Sequence, residues 1–307
     1  MSVSTKEWCE MSENGLIVPS NPQAALALVH SDPVSFAALR MFPTYDPESI
    51  QARALAANTA GMNLTAADLT TIKTPSGGGR FWEVDGPSGI ESLPEIEGVL
   101  VYFALQGTLW ATQGLGSGDR PILSTRDMIT ARLVRPDNEV TRNEQGKIIA
   151  IEGVDQEMAQ KIGELEIVQG GQSTWLWQQL PWTQFGSGRG GKGKFAKEGM
   201  LLFVLTKKHP LPYVIKTGSS AIKPIRQWLL KLNAPYWHTV VGISLKQEQT
   251  KAADEAGRIV EVKYSVPVIS LKSTLSPIEG NAVENTIHAQ MKASWNSGSI
   301  DSADIAE

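Results

Sequence analysis

The sequence predicts an α+β fold built around a small curved sheet or barrel. Long alternating strand patterns run from Ile96 to Leu105, Tyr236 to Leu245 and Arg258 to Ile269. A single clear amphipathic helix pattern, Ser220 to Leu232, stands between strands. The order is therefore helical arm, strands, one helix, more strands and tail, which differs from the β/α alternation of a parallel sheet.

Residues 22–70 read as short helices broken by prolines, the third beginning after Asp46-Pro47, where proline suits a first helical turn. Pro75-Ser-Gly-Gly-Gly79 reads as a loop before a strand at Arg80 to Val84. Thr108-Leu-Trp-Ala111 is expected to fold back on the strand ending at Leu105, across a turn at Gln106-Gly107. Residues 113–173 read as an excursion with strands near 129–134 and 147–152. Met200 to Thr206 and Pro212 to Lys216 read as a hairpin. In the following helix Ile222, Ile225, Leu229 and Leu232 form the apolar stripe, with Ser219 or Ser220 as N-cap and Pro224 early enough to be tolerated. A last helix is expected over Ala282 to Met291. Residues 296–307 carry Asp301, Asp304 and Glu307 with no base and read as a disordered end.

Composition narrows the class. Hydrophobic residues make up 41% of the 307 and charged residues 20%, which argues against intrinsic disorder. No apolar run approaches the roughly 20 residues that span a bilayer. Cys9 is the only cysteine, so neither a disulfide framework nor a multi-cysteine zinc site can be built. The N-terminal residues lack an apolar signal core. These features fit a cytoplasmic, reduced setting.

Charge is unevenly distributed. The net charge is -4, yet Arg189 to Lys231 holds ten Lys/Arg and one acid, Glu198. Such polarisation steers polyanions, although a basic run alone also reads as a solvated face. Gly186-Ser-Gly-Arg-Gly-Gly-Lys-Gly-Lys194 superficially resembles a P-loop, but Lys192 is followed by Gly193 where that motif needs Ser or Thr. A Gly/Lys/Arg loop also suits a nucleic-acid backbone, because glycine admits phosphates to the main chain and the cations neutralise them. Trp175, Trp177, Trp182 and Phe185 precede the loop, and Trp82 and Trp110 sit on the first strand patterns. A cationic groove with stacking aromatics is the way single strands are bound. Esterase, zinc-protease, Walker and dinucleotide motifs are missing, so the reading is non-enzymatic, with no cofactor and no metal.

Several motifs occur in a characteristic order. They are Asp68-Leu-Thr-Thr-Ile-Lys-Thr-Pro-Ser-Gly-Gly78, Trp82-Glu-Val, Glu97-Gly-Val-Leu-Val-Tyr102 and Trp110, then Leu180-Pro181, Phe185-Gly-Ser187, Gly193-Lys194 and Ser220-Ala-Ile-Lys223. The series, over about residues 60–270, resembles a family of phage, plasmid and other mobile-element proteins. Some of these look like single-stranded DNA-binding proteins of OB type. The resemblance implies an OB-like antiparallel β-barrel core. Family members often carry a Cys-x-x-Cys-Pro pair and a later Lys-x-Cys-Lys, which look like a small zinc site. Here the matching positions are Trp177, Leu180 and Ala196, so no metal is inferred, and apolar packing with Phe195 is expected to replace it.

The resulting expectation has three parts: a helical N-terminal arm over 1–70, an OB-like core over 71–275 with an insertion and basic loop over 113–198, and a C-terminal helix with acidic tail over 276–307. The expected function is sequence-independent binding of single-stranded DNA in replication or recombination of a mobile element. Arg189, Lys192, Lys194, Lys197, Lys223 and Arg226 are expected on phosphates, and Trp82, Trp110, Trp182 and Phe185 on bases. Lys223 and Arg226 lie three apart, on one helix face. The tail would recruit replication or recombination proteins, no membrane is involved, and homo-oligomerisation is left open. A nucleic-acid-contacting subunit of a defence or recombination complex and a metal-dependent nuclease are the competing readings.

Overall fold

The computed structural model describes residues 69–297, apart from 76, 87–88, 113–119, 170, 192, 208, 210 and 254–258. The expected N-terminal helices and the acidic tail lie outside the described residues. In chain order the first strands are β1 (Thr71–Lys73), β2 (Trp82–Gly86), β3 (Gly89–Leu93), β4 (Glu95–Leu109) and β5 (Leu123–Thr125). They are followed by β6 (Thr130–Leu133), β7 (Val140–Arg142), β8 (Ile148–Ile151), β9 (Ile167–Gln169) and β10 (Gln172–Leu176). The last are β11 (Lys197–Leu205), β12 (Tyr213–Gly218), β13 (Thr239–Ala253) and β14 (Ile259–Thr274). The helices are α1 (Gln156–Glu164), α2 (Ser219–Leu229), α3 (Pro277–Val283) and α4 (Ala289–Ser297), with a wide turn at Glu284–His288 joining the last two.

The protein is mostly β, and its main sheet is open. Ten strands form it, with β1, β12, β11 and β4 side by side in that order. At β4 the sheet forks. Glu95 to Val99 pair with β13, which continues to β14, while Gly107 to Leu109 pair with β5, which leads on to β6, β10 and β9. Among the described residues β1, β9 and β14 each have one partner strand, so the sheet never closes. This overturns the expected OB-like barrel.

The physical reason lies in the central strands. Met200 to Leu205 of β11 are buried without interruption, as in a strand covered on both faces. Leu201, Phe203 and Leu205 join Val99, Val101, Val214 and the apolar side of α3 and α4 in one core. Met200, Leu202 and Val204 join Ile215, Trp82, Val84 and the α2 residues Ala221 and Ile225 in another, on the opposite face. Layers lie on both sides of the sheet, and no interior is left for it to curl around.

The excursion between β4 and β11 has a core of its own, including Leu109, Leu123, Ile148, Ile162, Trp175, Trp177 and Leu180. Helix α1 starts where the Asp155 carboxylate accepts hydrogen bonds from the amides of Glu157 (2.9 Å) and Met158 (3.2 Å). Its other end is tied by the Trp175 indole, which donates to the Ile162 carbonyl at 2.7 Å.

Candidate nucleic-acid interface

The expected contact residues do not share one face. Trp82 is fully buried (0% exposed), and its indole donates to the Ile243 carbonyl at 2.8 Å. It has no open ring face, so the expected base stacking is corrected to a core role. Lys223 and Arg226 are exposed on α2, which packs on the Met200–Leu202 side of the sheet.

The basic loop is more ordered than its glycines suggest. The Gly186 amide donates to the Gly193 carbonyl at 2.6 Å. The Ser187 hydroxyl donates to the Trp182 carbonyl and accepts from the Phe195 amide, both at 2.9 Å. These bonds present Phe185 at 85% exposure and leave Trp182 half-buried. Lys194 pairs with Glu198 at 2.8 Å beside a small pocket lined also by Gln178 and Gln184. Lys192 and the Arg189 side chain lie outside the described residues. Trp177, Leu180 and Ala196 are buried in one core with Phe195 packed against them. None of the three offers a donor atom, so they do not fit a zinc ion.

Register assembles a different surface. Lys197 faces Thr108 across β11 and β4, Gly199 faces Gln106 on one side and Gly218 on the other, and Leu201 faces Lys216. Lys216 lies beside Lys73 of β1. Beyond β4, Thr108 is beside Ser124, and Ser124 is beside Arg132. Cross-strand partners and residues two apart share a face. Lys73, Lys216, Lys197, Gln106, Thr108, Ser124 and Arg132 therefore share one face, in a strip across β1, β12, β11, β4, β5 and β6; Gln106, Thr108 and Ser124 in its middle are buried, Lys216 and Arg132 are half-buried, and Lys73 and Lys197 are exposed. At ~4.8 Å between strands the strip is about 24 Å wide. Arg126 flanks it, donating to the Trp295 carbonyl of α4 at 3.3 Å. Among the described residues no Asp or Glu occupies a register position within the strip. Glu198 points to the other face, towards Trp177 and Lys194.

Electrostatics follow from this crowding. Burial and the neighbouring charges of Lys73 and Lys197 push the Lys216 ammonium down to about 8. Burial also lowers Lys197. Trp110 is nearly buried, donates to the Thr108 hydroxyl at 3.0 Å and lies under Lys197. Among the expected contacts that the structure describes, only Lys197, within the strip, and Trp110, beside it, belong here.

Sequence reasoning missed Lys73, Gln106, Arg126 and Arg132 and did not single out Lys216. The available signal was register: a lysine at alternate positions in the apolar run Tyr213-Val-Ile-Lys216 must face the same way as Val214. Among the described residues no helix is long and apolar enough to cross a membrane. No known protein family, no curated protein and no solved structure matches the chain.

Proposed function

We propose that the protein binds single-stranded DNA, largely without sequence preference and without catalysing a reaction, in replication or recombination of a mobile element. The observation that carries this reading is the cationic strip, where Lys73, Lys197, Lys216 and Arg132 share one sheet face with no register-placed carboxylate among the described residues. Phosphates supply most of the affinity in such binding, and flat aromatic surfaces add sequence-tolerant stacking. Trp110, under Lys197, is the aromatic residue that borders the strip. The mobile-element context rests on the motif resemblance.

A second reading, a nucleic-acid-contacting subunit of a larger assembly, is favoured by β14. Among the described residues it has only β13 as a partner, and Val260, Val262, Val268 and Leu271 are exposed along it. One experiment separates the two: anisotropy titrations with single-stranded DNA, double-stranded DNA and RNA at two salt concentrations. Preferential, salt-dependent binding of the single strand supports the first reading. No binding by the isolated chain, together with a co-purifying partner, supports the second.

A further inference from the structure

Past Ser244 the β13–β14 hairpin leaves the rest of the sheet. Among the described residues β13 pairs with β4 only from Val240 to Ser244, whereas its pairing with β14 runs on to Ala253 and Ile259. Two hydrogen bonds tie the hairpin to the loop before β2: the Gln247 amide donates to the Gly78 carbonyl at 2.9 Å, and the Ser265 hydroxyl donates to the Gly79 carbonyl at 2.7 Å. Two strands standing alone are marginal in water, and a third strand completes them. Among the described residues β14 is an end of the sheet, and Val260, Glu261, Val262 and Lys263 on it are exposed.

The backbone of β14 fixes how a further strand can sit. Pro267 faces Leu245 of β13 and has no N–H to give. An edge strand accommodates a proline with its nitrogen turned to the open side. No register shift interrupts β14 between Ile259 and Pro267. Glu261, Lys263 and Ser265 therefore also turn their N–H and C=O groups outwards, while those of Val260 and Val262 turn inwards to β13. In an antiparallel pair an outward residue must meet an outward residue. A second β14 satisfies this when the two-fold axis passes through a residue. Charge then chooses the residue. An axis at Glu261 or at Lys263 sets like charges face to face. An axis at Tyr264 sets Glu261 against Pro267, which lacks a donor. Only an axis at Val262 sets Glu261 of each copy against Lys263 of the other. It also sets Val260 against Tyr264 and leaves Pro267 beyond the pairing.

We infer that β14 is an interface between two copies of this chain, which pair antiparallel from Ile259 to Ser265 about Val262. The inference goes beyond single-strand binding and is independent of what the cationic face holds. The paired segment is about 23 Å long, at ~3.3 Å per residue. So short a contact gives a dimer that dissociates on dilution. Both copies use the same edge, so assembly closes at two.

The test uses the full chain in sedimentation equilibrium over a range of concentrations. Wild type is expected to pass from monomer to dimer as concentration rises. Glu261→Lys and Lys263→Glu each set like charges opposite one another twice, and each is expected to weaken self-association about tenfold. In an equimolar mixture of the two variants every contact between positions 261 and 263 again joins opposite charges, so dimers are expected to return. A merely misfolded variant does not recover on mixing. In a Cys9→Ser background, Val262→Cys is expected to form a disulfide-linked dimer, because position 262 faces itself with about 4.5 Å between Cα atoms, whereas Val260→Cys is not. Wild type monomeric at every concentration overturns the proposal and leaves the edge to another protein or to residues 1–68 of the same chain. A dimer that neither single reversal weakens lies elsewhere on the molecule and overturns it equally. So does a failure to recover on mixing together with no cross-link through Val262→Cys.

Discussion

The Lys197 ammonium stands 5.5 Å from the centre of the Trp110 ring. The ring face attracts the cation and the lysine stem covers the ring, so each fixes the other at the border of the strip. Lys197→Gln should lower oligo-dT affinity about fivefold and flatten the salt slope by about 0.7, the contribution of one phosphate contact. Anisotropy at three or more salt concentrations checks this. An unchanged slope would mean that Lys197 serves only to cover Trp110.

The Lys216 ammonium gives a pH signature. Its folded value of about 8 lies below the 10.5 of a free lysine. Between these values the unfolded chain holds a proton that the folded chain has released, so this group makes stability rise with pH across that window. The penalty is fully present below pH 8. Denaturant unfolding of wild type minus Lys216→Met should show this rise, and parallel curves for the two proteins would refute it. Oligo-dT affinity should fall over the same window in wild type and persist in Lys216→Arg, whose guanidinium stays charged.

Lys223 and Arg226 sit on the far side of the sheet from the strip. The double substitution Lys223→Gln, Arg226→Gln should therefore change oligo-dT affinity by less than about threefold, the long-range effect of exposed charges beyond a screening length. A tenfold loss would place the DNA on the α2 face. Lys194→Ala is likewise expected to do less than Lys197→Gln, because Glu198 already neutralises Lys194.

Trp82→Leu should cost about 3 kcal/mol, combining lost apolar contact with the stranded Ile243 carbonyl. Urea unfolding measures the loss. The salt slope of oligo-dT binding should not move, since the ring is sealed inside the fold.

Much of the fold was legible where packing is periodic. The hairpin of β13 and β14 appears because Val260, Val262, Tyr264, Val266 and Val268 alternate with polar residues. Helix α2 follows from the spacing of its apolar residues, although its cap is Gly218 in place of the expected serine. Helix α1 was missed, since only Met158, Ala159, Ile162 and Gly163 of its nine residues are buried. The expected turn at Gln106-Gly107 was wrong for a tertiary reason. Both residues are paired within β4, with Gly199 and Glu198 across β11. Gly107 is glycine because the Trp177 ring would lie 2.4 Å from its Cβ. A bulge at Phe203 and Val204 interrupts the alternation of β4, so that Phe103 packs in the core opposite the one that holds Val99 and Val101. The site was less legible than the fold, because Lys73 and Lys216 meet across 143 residues and nothing local marks that pairing.

The direct pairing of Thr108 with Lys197 has a topological consequence. The excursion departs after one and rejoins at the other, so its exit and its entrance lie on next-door strands. A short hairpin turn could join them, and Leu105, Met200 and Leu202 would keep their neighbours on β4 and β11. The excursion has a separate core, yet its β5, β6, β10 and β9 extend the main sheet, so its loss would shorten the sheet by four strands while leaving the pairing of β4 with β11 in place. Its removal would also take away Trp110, Arg126 and Arg132, so the excursion supplies the far half of the cationic face.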